Sequence, residues 1–168
     1  NGIIALGLRE DDRLIRVTLT DGNSQMLVAS YNGKVVRFPE DTVRPMGRTA
    51  TGVRAIKLDE DGKDRVIGMI CVEEGSKESV LVISEKGFGK RTDLDDENGE
   101  PIYRITNRGG KGVKTMNLTD KTGNLIGLEA VTDEQDLMLI TKSGTAIRMA
   151  MDTIRVMGRA TQGVKLIE

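Results

Sequence analysis

Short apolar runs recur along this chain in pairs, each pair joined by a turn that contains glycine. MLVASYNGKVVRF (26–38), SVLVISEKGFGKRT (79–92) and DLMLITKSGTAIRM (136–149) each hold a β-branched, apolar run, a turn with Gly33, Gly87 or Gly144, and a second short run. This pattern predicts a β-hairpin at each place. A basic phrase closed by glycine follows each hairpin, and after it comes GVRAIKL (52–58), GVKTMNL (112–118) or GVKLIE (163–168). In the first two cases a polar turn and one more apolar run follow, VIGMICVEE (66–74) and LIGLEAVTDE (125–134). Each unit therefore predicts four strands, and no window of about eleven residues carries helical periodicity.

Aligning the glycine that closes each basic phrase gives Gly2, Gly52, Gly112 and Gly163, spaced by 50, 60 and 51 residues. Units of this length are too long for the tighter solenoids and fit four-stranded blades. The expected fold class is all-β, a β-pinwheel or propeller-like array of four-stranded blades with about three blades' worth of chain. Residues 1–168 read as a single array fragment: a partial blade at 1–23, blades at 24–77 and 78–134, and a partial blade at 135–168. The chain opens in what corresponds to a third strand and closes before a fourth, which predicts unpaired strand edges and self-association.

Composition removes several functions. The absence of histidine excludes a Ser-His-Asp triad, a Cys-His pair and the usual histidine-bearing zinc site. DEDGKD (59–64) lacks the spacing of a calcium loop and predicts a solvated turn. GFGKRT (87–92) has neither the glycine spacing nor the following helix of a phosphate loop. No catalytic residue, metal site or cofactor is expected. Cys71, alone in the apolar run VIGMICV, predicts a core thiol and a reducing, cytoplasmic setting. There is no apolar stretch of membrane-spanning length and no leader, so no membrane partner is expected.

The net charge of −1 conceals a segregation. Segments 33–57, 86–114 and 142–165 hold 18 of the 25 Lys and Arg but only 8 of the 26 Asp and Glu. Four basic columns recur through the units: Arg37, Arg91 and Arg148; Arg44, Arg104 and Arg155; Arg48, Arg108 and Arg159; and Arg54, Lys114 and Lys165. Because equivalent segments lie at equivalent places in an array, these columns predict a basic band, the footprint for a polyanion. With two Tyr, two Phe and no Trp, the chain lacks the stacking platforms of single-strand binders. Duplex DNA held by its phosphates needs only cations and exposed backbone donors, and the small residues of GRTATG, NRGGKG and GRATQG suit a close approach to phosphate. Arg37 alternates with Val35, and its counterparts with Gly89 and Ala146, which predicts an open face; Arg54 alternates with Ile56 and Leu58, which predicts a strand end with a buried stem. The expected DNA contacts are Arg37, Arg44, Arg48, Arg91, Arg104, Arg108, Lys111, Arg148, Arg155 and Arg159.

The phrases RPMGRTATGVRAIKL and RVMGRATQGVKLIE, the hairpin EKGFGKRT and the phrase NRGGKGVKTMNL resemble the blade repeats of the DNA gyrase A C-terminal domain over essentially the whole chain. The A-type subunit of topoisomerase IV carries the same β-pinwheel, and the alternative from another class is a β-propeller protein-interaction module whose basic band meets an acidic protein. The resemblance implies a ring of usually six blades that exchange strands and wrap duplex DNA, non-catalytic in itself, in support of ATP-dependent negative supercoiling. It implies as partners duplex DNA, the remainder of the gyrase A-type subunit and, through it, the gyrase B-type subunit. TNRGGKG (106–112) matches the family's QRRGGKG box at Arg108, Gly109, Gly110, Lys111 and Gly112 and departs from it at Thr106 and Asn107, as a degenerate copy in an internal blade. Tyr31 and Tyr103 do not resemble the setting of the family's cleaving tyrosine, which belongs to another domain.

Overall fold

All three hairpins form. In the computed structural model, which describes residues 1–167, the first hairpin is β1 (Gln25–Ser30) and β2 (Lys34–Pro39), and β3 (Val66–Val72) pairs antiparallel with β1. The second hairpin is β4 (Ser79–Ser84) and β5 (Phe88–Asp93). Then come β6 (Val113–Lys114) and β7 (Leu125–Val131), the third hairpin β8 (Asp136–Ile140) with β9 (Ala146–Ala150), and β10 (Val164–Lys165). Glu168, the last residue of the fourth predicted unit, lies outside the described residues. Among the described residues there is no α-helix; two 3-10 turns, at Glu40–Thr42 and Met151–Thr153, follow the first and third hairpins.

The pairing order shows where each blade obtains its fourth strand. One sheet runs β3-β1-β2-β6 and the next β10-β5-β4-β7, so the short strand after the second and after the third basic phrase leaves its own unit and completes the sheet of the preceding one. Lys34 and Val35 pair with Lys114 and Val113, and Phe88 and Gly89 pair with Lys165 and Val164. The exchange leaves β6 and β10 as the outer strands, while the inner strands β3 and β7 pack on one another. The third strands expected at the opening Asn1-Gly2 and over GVRAIKL (52–58) have no strand conformation. By the same order they would pair with a hairpin ahead of residue 25, and the described residues contain none; a strand forms only where an edge offers hydrogen bonds.

Alternation along β1 splits the core in two. Leu27 and Ala29 join Ile70, Val72, Val80, Val82, Leu125 and Leu128 between the two four-stranded sheets. Met26 and Val28 face the other way, with Val36, Phe38 and Ile56. A third cluster, Leu81, Val131, Met151 and Ile154, binds the second sheet to the third hairpin. Cys71 is half-buried and packs against the edge of the second cluster rather than within it. The 60-residue spacing of the middle unit comes from a longer excursion after β5, where Asp95 bridges to Pro101 around a turn capped by the Asp96 carboxylate.

Candidate nucleic-acid interface

The second and third basic phrases enter the structure as docked loops. Thr106 N–H donates to the Arg37 carbonyl at 2.8 Å and Met157 N–H to the Arg91 carbonyl at 2.8 Å, so both loops start from the end of the preceding hairpin's second strand. Both end at a glycine that lies against that hairpin's backbone. A Cβ on Gly112 would stand 2.4 Å from the Val35 carbonyl oxygen, and one on Gly163 would stand 2.6 Å from that of Gly89. With φ of +79° and +81°, these glycines are needed twice over, by conformation and by space. The close approach predicted for a phosphate is made here to protein.

The four basic columns separate by burial. Arg37 and Arg91 do not lie on an open face; they are 5% and 4% exposed. Arg37 Nη1 donates to the carbonyls of Leu94 and Tyr103 at 3.2 and 3.0 Å and to Asp95 Oδ1 at 3.1 Å, while its Nε donates to Gln25 Oε1 at 2.6 Å. Arg91 repeats the arrangement with Asp133, the Met151 carbonyl and Ser79 Oγ. In both cases groups of the following unit close over the guanidinium. Arg148, in the third hairpin, is exposed and bonds Asp136 Oδ2 through Nε at 2.7 Å.

Arg108 and Arg159 are half-buried, and their guanidiniums also turn inward. Arg108 Nε donates to the Thr42 carbonyl at 3.1 Å and Nη1 to the Arg54 carbonyl at 3.3 Å. Arg159 makes the equivalent pair one unit on, to the Ile102 carbonyl at 3.0 Å and the Lys114 carbonyl at 2.6 Å. Both tie their loops to the loop of the preceding unit. Arg48, of the same column, is exposed, as are Arg44, Arg104, Arg155 and Lys111, and none of these five donates a side-chain hydrogen bond or ion pair among the described residues. Arg54 is exposed rather than stem-buried, and Lys114 and Lys165 stand exposed on the outer strands. Arg104, Arg108 and Lys111 line an open groove of about 500 Å³ between the 106–112 loop and Val35–Arg37.

One cation of the site carried no signal in the four columns. Lys90 is fully buried, and its Nζ lies 2.8, 2.6 and 3.0 Å from the carbonyls of Gly158, Arg159 and Thr161 and 3.1 Å from Thr161 Oγ1. Burial, and secondarily the Arg159 charge, pulls its pKa from 10.5 down to about 8. The signal available in sequence is that its counterparts in the other hairpins are the apolar Val36 and Ile147.

The tyrosines and the acidic turn take structural places. Tyr103 is buried, with its hydroxyl 2.7 Å from Thr115 Oγ1, and burial raises its pKa. Tyr31 donates its hydroxyl to Glu85 Oε1 at 2.8 Å, and that bond raises its pKa. Asp59 and Asp61 accept from the Asn32 amide and Asp64 accepts from backbone N–H groups, a hydrogen-bonded turn.

Two four-stranded sheets that each take an outer strand from the following unit, with basic loops leading into those strands, define a β-pinwheel. The chain matches the family described as DNA gyrase C-terminal domain, beta-propeller, over residues 1–21, 25–73, 78–132 and 135–168, and it belongs to that family. It is 47% identical over 167 residues to the A subunit of DNA gyrase from Staphylococcus aureus strains MRSA252 and NCTC 8325, covering 99% of this chain and 18% of those proteins. Its fold matches the C-terminal domain of DNA topoisomerase IV with a TM-score of 0.86 and the DNA gyrase A C-terminal domain with 0.84, each at 23% identity. These superpositions cover 98% of this chain and 48% and 53% of those domains. The E. coli ParC C-terminal domain matches with a TM-score of 0.72 at 16% identity, over 96% of this chain and 63% of that one.

Proposed function

We propose that this chain binds duplex DNA through its phosphates, as a non-catalytic part of the A-type subunit of a bacterial, cytoplasmic DNA gyrase, and that it bends the duplex around its perimeter in support of negative supercoiling. The observation that carries the reading is the column Arg44, Arg104 and Arg155: three exposed guanidiniums at the same place in successive units, with no protein partner among the described residues. Arg48, Lys111 and Arg148 extend the band, and Lys114 and Lys165 continue it along the outer strands. Arg108 and Arg159 act within the loops, and Arg37 and Arg91 within the joints between units, so these four serve the DNA face by shaping it. The remainder of the gyrase A-type subunit and, through it, the B-type subunit are the partners this role requires.

Retention on duplex DNA across a salt series tests the reading. With roughly four to six phosphate contacts, log affinity falls against log salt with a slope of about −4 to −5, at about 0.9 per contact. The triple substitution Arg44→Ala, Arg104→Ala and Arg155→Ala makes the slope shallower by about 3 and leaves the melting temperature within a few degrees. A slope near zero, or preference for single strands, overturns the proposal. The A-type subunit of topoisomerase IV is the second reading, since its C-terminal domain shares the fold; an upstream QRRGGKG box in the parent sequence decides for gyrase.

A further inference from the structure

Strand exchange sets two lysines side by side. In the first sheet, the register of β2 with β6 puts Lys34 opposite Lys114 and Val35 opposite Val113. Directly opposite residues of antiparallel strands share a face, with Cβ atoms about 5 Å apart. Val35 belongs to the core between the two sheets and Val113 packs against it, so by alternation both lysines stand on the other face. Their placement is pinned. The Lys114 carbonyl accepts from Arg159 Nη1 at 2.6 Å, and the next residue, Thr115, donates its N–H to the Gly33 carbonyl at 2.9 Å.

Like charges held directly opposite one another repel and destabilise the sheet that carries them. Among the described residues no carboxylate lies within ion-pair distance of either ammonium. The acids that approach this hairpin turn, Asp59, Asp61 and Asp64, are taken up by Asn32 and by backbone N–H groups. Guarding a sheet edge accounts for Lys114, on the outer strand, but not for Lys34, which is half-buried on an inner one. The second sheet has no such pair: Lys165 there faces the buried Phe88, and the third hairpin has Thr145 at this position. The surroundings add further positive charge. Lys111 is exposed in the loop that leads into β6, and the Lys57 N–H donates to the Gly110 carbonyl at 2.8 Å, which brings exposed Lys57 against the same loop.

We propose that Lys34 and Lys114 together grip one phosphate of the DNA backbone, which supplies the negative charge the pair lacks, and that Lys34 is a DNA-binding residue outside the recurring columns. This rests on the duplex-binding reading above. A lysine ammonium is a compact point charge on a flexible stem, so two stems rooted on one face of neighbouring strands can converge on a single phosphate. Because β6 continues directly from the 106–112 loop, the site carries the band of Arg104 and Lys111 onto the sheet. The pair also has a signature that a structural role does not share: it destabilises the free chain, and the ligand relieves it.

The test compares the chain with Lys34→Gln, Lys114→Gln, the double variant, and Lys142→Gln, which removes the same charge from the exposed turn of the third hairpin. Either single substitution in the pair is expected to weaken duplex binding about threefold to tenfold. Because one phosphate is shared, the double variant loses little more than either single, and its salt slope is shallower by about 1 rather than about 2. Lys142→Gln changes affinity by less than about twofold. Without DNA, each substitution in the pair raises the melting temperature by about 1 to 3 °C, through relief of repulsion. Inorganic phosphate, replacing chloride at equal ionic strength, raises the melting temperature of the unaltered chain more than that of the double variant. Unchanged affinity in the double variant, a loss no larger than that of Lys142→Gln, or a lower melting temperature without DNA overturns the proposal. Losses that multiply, with a slope change of about 2, overturn the shared phosphate. If the unaltered chain fails to bind duplex while phosphate still stabilises it through the two lysines, the functional reading fails and the anion site stands.

Discussion

The guanidinium of Arg159 closes on the carbonyl oxygen of Lys114 at 2.6 Å, fastening the last basic loop to the strand that the preceding unit lends to its neighbour. Arg108 makes the equivalent bond to Arg54, so the central arginine of the second and third phrases is a joint between units. Arg159→Ala is expected to lower folding stability by about 1 to 2 kcal/mol, the worth of two partly solvated hydrogen bonds from a charged donor. Arg48→Ala, in the same column but exposed, is expected to change stability by about 0.5 kcal/mol or less. Thermal or urea unfolding of the two variants checks the contrast; equal losses would remove the joint assignment.

Arg37 and Arg91 are the more deeply set joints. Replacing either by Met removes donors from two buried carbonyls in the first case and one in the second, with an expected loss of about 2 to 4 kcal/mol. Duplex affinity of the folded fraction should stay near that of the unaltered chain, because neither guanidinium reaches solvent. Unfolding curves beside binding at a temperature well below the transition separate the two effects.

Gly163→Ala is expected to cost about 2 to 4 kcal/mol, from a strained φ and a collision with the Gly89 carbonyl that backbone shifts must relieve. Gly52 also has positive φ, at +86°, but nothing lies within 4 Å of its added Cβ, so Gly52→Ala should cost only about 1 to 2 kcal/mol. A pair of unfolding midpoints measures the difference, and strand exchange onto β5 is the reason for it.

Lys90 gives the fold a pH dependence of definite sign. Its folded pKa of about 8 lies below the unfolded value of 10.5, so between these pH values the unfolded chain holds the proton more firmly. Stability contributed through Lys90 therefore rises as pH increases across that window and is at its lowest below it. Melting temperatures from pH 7 to 10 should show a component that is lost in Lys90→Ile.

Apolar residues at two places await strand partners. Leu14, Ile15, Val17 and Leu19 are exposed in a segment without strand pairing, and Met138, Ile140 and Ile147 are exposed on β8 and β9. Both sets are exposed apolar surface of strand-like character among the described residues, so two isolated copies of this chain are expected to associate through them at high concentration. Sedimentation over a wide concentration range measures this, and a monomer throughout counts against it.

The hairpins, their glycine turns and the unit repeat were legible in the sequence because each depends on neighbours a few residues away. Alternation and turn chemistry place Met26–Phe38, Ser79–Thr92 and Asp136–Met149 without knowledge of what packs on them. The charge segregation and the family were legible for the same reason, being properties of recurrence along the chain. The roles of the individual arginines were not. Arg37 and Arg148 occupy one column, yet Arg37 is sealed under Leu94 and Tyr103 while Arg148 lies open, because only the first has a following unit among the described residues to close over it. Gly112 and Gly163 likewise looked like phosphate-facing positions until the exchanged strands set them on Val35 and Gly89. Local sequence determined which strands and loops this protein builds; burial, which is settled between units more than fifty residues apart, decided which of its cations hold the units together and which stay exposed.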